Sequence, residues 1–397
     1  MAAATPAATA MAIVDSSLRV LMTADTVGGV WHYVLQLCRR LADDHGIRIE
    51  LATMGSPLRP DQRREVARLR GVRLHESIHR LEWMEDPWDD VARAGEWLLS
   101  LEQQFAPDVV HLNQFAFGAL PFAAPRLLVA HSCVVSWWQA VHGVDPPEPP
   151  WRRYRAVLRR GLAGATRVAA PTRAMLMSLV RNHGYDGTGL VLPNGRDPAL
   201  YPPGRKTALV LSAGRLWDEA KNLPALERIA AELPWPVEVA GATRQPGTFA
   251  TASEALREPG AGEKQGRRTL QMLGELPADR LAARLAAASI YVHPARYEPF
   301  GLAPLEAALA GCALVLGDLP SLREIWGEAA VYAPPDDHRA LRDALLGLIA
   351  DGGRREAMAR RARAVALQHT GAAMAGGYVA AYRLLVGTKL EEMPCAS

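Results

Sequence analysis

Ser289-Ile-Tyr-Val-His-Pro294 runs through Ala-Arg-Tyr into Glu298-Pro-Phe-Gly-Leu-Ala-Pro-Leu-Glu306. An apolar run, then proline and glycine punctuation, then an alanine-rich segment predicts a buried strand, a tight turn and a helix. Pro304 falls in the first helical turn, where its missing N–H costs nothing. Glu298 is therefore expected at the lip of a strand end, and Glu306 just over one turn into the helix. Between them, the N–H groups near Gly301, Leu302 and Ala303 should be unpaired and face an incoming anion. Two carboxylates flanking an anion site suit a polyhydroxylated phosphate ester. The carboxylates accept from sugar hydroxyls, and the helix N-terminus takes the phosphate charge. A plain helix start, with one solvated glutamate and one in a salt bridge, fits the same spacing equally well.

Outward from this unit, short apolar strands alternate with longer helical patterns, which predicts parallel sheets joined by crossovers. A first series of strands is expected at Arg19–Ala24, Arg48–Met54, Gly71–Leu74, Asp108–Asn113, Arg126–His131, Arg167–Ala170 and Leu190–Leu192. After a Pro/Gly-rich break at Asn194–Lys206 the pattern restarts, with strands at Ala208–Ala213, Val237–Ala240, Leu270–Leu273, Ile290–His293, Ala313–Leu316 and Ala329–Tyr332. Helices are expected between them, including Val30–Ala42 and Val91–Phe105. The fold class is α/β: two Rossmann-like domains facing across a cleft at the carboxyl ends of their strands. Residues 17–200 form the first, with a C-terminal helix at 372–388 crossing back to it, and 205–370 form the second. Residues 1–16 read as a flexible tail. Asp145-Pro-Pro-Glu-Pro-Pro150 reads as a stiff loop, and Gly241–Arg268 as a long polar, mobile connection.

At 397 residues the chain exceeds one ordinary core, which supports two domains. A net charge of +3 is nearly neutral at this length and argues against a nucleic-acid partner. Cys38, Cys133, Cys312 and Cys395 have no metal or disulfide spacing and fit a reducing cytoplasm. No apolar run approaches a membrane span, although peripheral contact with the inner face of a membrane is compatible with the sequence. Arginine is the default cation, so Lys206, Lys221, Lys264 and Lys389 stand out.

Several motifs could carry chemistry. Thr23-Ala-Asp-Thr-Val-Gly28-Gly29 ends the first strand, and two glycines at a strand-to-helix turn let backbone approach a ligand. It is not GxGxxG, which disfavours a dinucleotide cofactor. Gly214-Arg215 and Lys221-Asn222 follow the first strand of the second series. Arg215 offers a planar fork to phosphate and Lys221 a point charge; two surface cations with Asp218 and Glu219 as local partners is the plainer reading. His131 lies at a strand's carboxyl edge, where it either donates to a sugar oxygen or phosphate or is a buried, satisfied histidine. Asn194-Gly195 reads as a turn. His75-Glu76-Ser77-Ile78-His79 matches the zinc-peptidase pattern HExxH, with Glu102 as the nearest imaginable third ligand. Gly71-Val-Arg-Leu before it looks like a strand, however, which spoils the one-face geometry that zinc needs.

In their order along nearly the whole chain, these pieces resemble the retaining glycosyltransferases of the GT-B fold, family GT4. The matching parts are Gly28-Gly29, Ala130-His131, Val168-Ala-Ala-Pro-Thr172, Leu192-Pro-Asn-Gly195, Gly214-Arg215 with Lys221-Asn222, Leu273-Gly274 and the Glu298/Glu306 pair, the family's E-x7-E signature. The resemblance implies that Arg215 and Lys221 hold a nucleotide diphosphate and that Glu306 binds the donor ribose. It implies that Glu298 takes sugar hydroxyls, assisted by the backbone of Phe300, Gly301, Leu302 and Ala303. Gly274-Glu275-Leu276 would lie along the base, Gly29 would approach the diphosphate, and His131 would face the sugar.

Ser132 stands where the family often has Asp. Trp31, His32, Trp137 and Trp138 would lie on the acceptor side. The implied activity is metal-independent transfer, with retention, from a nucleotide sugar such as a UDP- or GDP-sugar. No cofactor is implied, and the acceptor would be a small-molecule, lipid-linked or glycan hydroxyl. A non-catalytic sugar-nucleotide-binding protein, a sugar-nucleotide epimerase or a glycogen-type synthase on the same fold remain as alternatives.

Overall fold

The structure, a computed structural model, describes residues 18–186, 188–244 and 270–392. The tail expected over 1–16, most of the polar connection read at 241–268, and Cys395 lie outside those residues. The chain divides into two compact units. One takes the described chain as far as Gln139, then Val144–Gly195 and everything from Gly371; the other takes Ala140–Gly143 and Arg196–Thr370. The division at Gly195/Arg196 falls inside the Pro/Gly-rich break.

The first unit holds a seven-stranded sheet of β1 (Arg19–Asp25), β2 (Arg48–Met54), β3 (Val72–Glu76), β4 (Val109–Leu112), β5 (Arg126–Val129), β6 (Arg167–Ala170) and β7 (Leu190–Val191). Its order is β3-β2-β1-β4-β5-β6-β7, and every pairing is parallel. The second unit holds β8 (Thr207–Ala213), β9 (Val237–Ala240), β10 (Gln271–Gly274), β11 (Ala288–His293), β12 (Ala313–Gly317) and β13 (Val331–Ala333). Its order is β10-β9-β8-β11-β12-β13, again all parallel.

Central strands such as β4 and β11 are buried along their full length because helices cover both faces, and they therefore read as unbroken apolar runs. Each sheet reverses its strand order at one place, between β1 and β4 and between β8 and β11. Such a switch point leaves a crevice beyond the strand carboxyl ends, where α/β sheets bind ligands.

Gly29–His45 and Trp88–Phe105 are helices slightly longer than expected. In the first of these, Trp31, Val34, Leu37, Cys38 and Leu41 form the buried stripe at helical spacing. Helix Gly371–Glu392 belongs to the first unit and packs on Gly29–His45, burying Met374, Tyr378, Tyr382 and Leu385. No helix among the described residues is long and apolar enough to cross a membrane.

Candidate active site

In the second unit, the residues singled out around Lys221 and Glu298 meet at the β8/β11 switch point. β8 ends at Ala213 and leads through Gly214-Arg215 to a 3₁₀ turn, Glu219–Lys221, which Asp218 caps through the N–H of Ala220. Asn222 then takes a left-handed conformation at φ 56°, which a short amide side chain tolerates. Its amide donates to the carbonyls of Pro294 and Pro335, which ties this loop to the segments after β11 and β13.

Lys221 Nζ consequently lies 2.7 Å from Glu298 Oε2, with both side chains largely buried. His293, the last residue of β11, lies 3.1 Å from the same oxygen, and the Gly301 N–H donates to Oε1 at 3.0 Å. Burial alone would raise the Glu298 pKa, but Lys221 and His293 outweigh it and hold the carboxylate well below its usual range. Burial likewise depresses the His293 pKa, partly opposed by its bond to Glu298.

Arg215 is the accessible cation of the group. Its side chain is 42% exposed, pairs with the buried carboxylate of Asp218 at 2.9 Å, and lies over the Trp217 ring at 5.3 Å. The local-partner reading therefore holds for Arg215 but fails for Lys221, which is paired across the fold. Glu306 sits in helix Leu302–Leu309 as expected, but it is buried and forms an ion pair with the buried Arg196 at 2.7 Å. Tyr201 lies near this carboxylate, and burial together with that negative charge raises the pKa of its hydroxyl.

One expectation about the helix start needs correction. The Gly301 N–H is not free for an anion, because Glu298 from the same loop accepts it. The Phe300 side chain is buried, edge-on to His369, so only its backbone remains for a ligand. Leu302 and Ala303 are half-buried at the helix start, and Gly274 ends β10 with φ 67° and open space around it. Leu276, expected along the base, packs against the core of this unit.

In the first unit, Gly28 has φ 77° and caps helix Gly29–His45, while the space above Gly29 is empty, so backbone there is open to a ligand. His131 follows β5, is half-buried, and bonds through Nε2 to Asn113 Oδ1 at 2.7 Å. Asn113 follows β4, and its side-chain amide donates to the Thr23 carbonyl of β1 at 2.6 Å. The Tyr33 ring lies 4.4 Å from the imidazole. Beneath them His111 is fully buried, between the hydroxyls of Tyr33 at 3.3 Å and Tyr382 at 2.6 Å. Burial pushes the pKa of both His111 and His131 down to about 3.

Trp31 is not on an acceptor surface. It is 2% exposed, on the buried stripe of its helix, and its indole N–H donates to Glu65 at 3.4 Å. His32 is exposed, and Trp137 and Trp138 are half-buried with their rings edge-to-face at 6.1 Å.

The HExxH residues do not form a metal site. His75 and Glu76 end β3 and His79 lies in the loop beyond it; they pair with Glu50, Arg63 and Asp90 respectively. Glu102 instead accepts the Ala124 N–H in the core.

Arg196, His293, Asn113 and Tyr201 escaped the reading of the sequence. Arg196 directly follows Asn194-Gly195, so a buried cation next to a motif glycine was the available signal. His293 was visible as the polar end of an otherwise apolar strand.

A family model described as "Glycosyl transferases group 1" matches residues 203–365. A second, "Glycosyltransferase Family 4", matches residues 27–200. The O-antigen chain mannosyltransferase B of Escherichia coli is 34% identical over 116 residues, which is 29% of this chain and only 30% of that relative's length. The D-inositol 3-phosphate glycosyltransferase of Geodermatophilus obscurus is 29% identical over 378 residues, covering 84% of this chain and 82% of the relative. Among solved structures, the sucrose-phosphate synthase of Thermosynechococcus elongatus shares the fold with a TM-score of 0.75 at 20% identity, over 94% of this chain and 100% of that one.

Proposed function

This chain belongs to the GT4-type glycosyltransferases of the GT-B fold, and from that premise we propose that it moves a sugar from a nucleoside-diphosphate donor to an acceptor hydroxyl, with retention and without a metal ion. The observation that carries the reading is the Lys221–Glu298 pair, which joins the ends of β8 and β11 at the switch point with Arg215 beside it. Arg215 presents a guanidinium fork, suited to the two charged oxygens of a diphosphate. Lys221 has three donors, and the described structure commits one to Glu298. Fixed cations of this kind stabilise charge that builds on a leaving diphosphate without reorganising during the step.

Glu298 is a poor nucleophile here. Three donors engage its carboxylate and its pKa is depressed, so its lone pairs are stabilised against attack. Its chemistry is that of a hydrogen-bond acceptor for sugar hydroxyls. Retention then follows from front-face transfer: the acceptor O–H attacks the anomeric carbon as its bond to the diphosphate breaks, and the diphosphate oxygen takes the proton.

Screening UDP-, GDP- and ADP-sugars by thermal shift tests the donor, since a ligand that binds only the folded chain raises its apparent stability by mass action. The matching donor should raise the melting temperature and then be turned over, by transfer or by slow hydrolysis, in the presence of a chelator. A chain that binds donor but never breaks it would be a sugar-nucleotide-binding protein on this fold. Loss of turnover on chelation would overturn the metal-free reading.

A further inference from the structure

The amide of Asn113 has only one workable orientation. Its Nδ2 lies 2.6 Å from the Thr23 carbonyl, which can only accept, so the nitrogen must face Thr23 and the oxygen must face His131. The Asn113 backbone N–H donates to Thr23 Oγ1 at 2.9 Å, which fixes the residue at both ends. Oδ1 in turn can only accept, so the His131 nitrogen 2.7 Å away must carry a hydrogen. The Tyr33 ring against the imidazole opposes a flip of the ring. No described residue bonds to the other nitrogen, Nδ1.

We propose that Asn113 is a positioning residue that locks His131 in the Nε2–H tautomer, leaving Nδ1 as an obligate hydrogen-bond acceptor for a substrate hydroxyl. This rests on the transferase reading above, in which His131 faces the sugar. It also reverses the sequence-based expectation that this histidine could donate to a sugar oxygen. A neutral ring with a bare Nδ1 repels a phosphate oxygen and attracts an O–H, so the position selects hydroxyls. The titratable groups around the ring are Tyr33 and His111, and both stay neutral near pH 7: burial raises the tyrosine and lowers the histidine.

The tautomer can be read directly by ¹⁵N NMR of the imidazoles in the full chain, with the His131 signal assigned by His131→Gln. Wild type should show hydrogen on Nε2 and a bare Nδ1, and Asn113→Leu should give a mixture. Hydrogen on Nδ1 in wild type, or an unchanged tautomer in Asn113→Leu, overturns the proposal whether or not the chain transfers sugar. Once a donor is found, Asn113→Leu should lower kcat about a hundredfold with little change in donor KM, because a small misplacement of a group that orients the reacting sugar has that cost.

Asn113→Asp keeps the acceptor toward Nε2–H but loses the donor to the Thr23 carbonyl, so its melting temperature is compared with that of wild type before the pH profile is read. Its carboxylate should favour the imidazolium and move the acid limb of the pH profile upward. A limb that stays in place overturns the proposal, whereas absence of turnover with every donor counts against the transferase reading alone.

Discussion

Glu298 commits both carboxylate oxygens inside the protein, one to Gly301 and the other to Lys221 and His293. Replacing Lys221 by Ala leaves that buried charge short of its main counter-ion. We expect the second unit to lose about 3–5 kcal/mol of stability, the usual consequence of orphaning a buried charge. Turnover should fall by roughly 10²–10³-fold, as when a preorganised transition-state donor is removed. The double variant Lys221→Met/Glu298→Gln should recover most of the stability in chemical denaturation while staying inactive. If it also recovers activity, Lys221 has no role in transfer. The importance of Glu298 and Glu306 was legible in their spacing across a strand-to-helix turn. The partners of these residues were not, because Arg196 and His293 reach the carboxylates only through the tertiary fold.

At the scale of elements, the strand ends form a site only because their loops nest closely. Gly241, after β9, has φ 144°, and a side chain there would place Cβ 1.7 Å from the Gly214 carbonyl oxygen. No rotamer relieves a clash between Cβ and backbone. Gly241→Ala should therefore push the Gly214-Arg215 loop outward and weaken donor binding more than tenfold, as measured by calorimetric titration. Wild-type affinity in that variant would separate the loop from the donor site. The strands themselves were readable because fully buried parallel strands are continuous apolar runs. Their order in the sheet was not, since nothing in a strand's own residues states its neighbours. Trp31 shows a different failure, where the motif glycines drew the reading toward a ligand surface. Its spacing with Val34, Cys38 and Leu41 already placed it on the buried stripe.

For the whole molecule, buried titratable groups set the response to acid. Burial holds His111 and His131 at about 3, and His183 at about 4 with help from Arg155 and Arg159, against an ordinary value of 6.5. A depressed folded-state pKa means that the stabilising contribution is complete above pH 6.5 and is lost as pH falls toward those values. Glu298 adds loss of the same sign below its ordinary 4.5. Glu82 opposes them: burial lifts it to about 7, despite the N–H groups of Phe115 and Ala116, so its contribution is full below 4.5 and fades as pH rises through 7. With these four groups against Glu82, and with His293 and His369 lowered by burial in the same direction, the midpoint of urea unfolding should fall steadily between pH 7 and pH 4; a flat or rising midpoint would contradict these assignments.

Two domains were legible from the restart of the strand pattern after Asn194–Lys206, whereas the particular helix on which the last one packs, Gly29–His45, was not. That helix gives the fold a timetable during synthesis. The first unit needs Gly371–Glu392 to cover Tyr33 and His111, yet the whole of Arg196–Thr370 must be translated first. At about 5–20 residues per second, the ribosome needs roughly 10–35 seconds for that stretch. The second unit, nearly continuous in sequence, can fold in that interval, while the earlier-made unit waits with an apolar face bare.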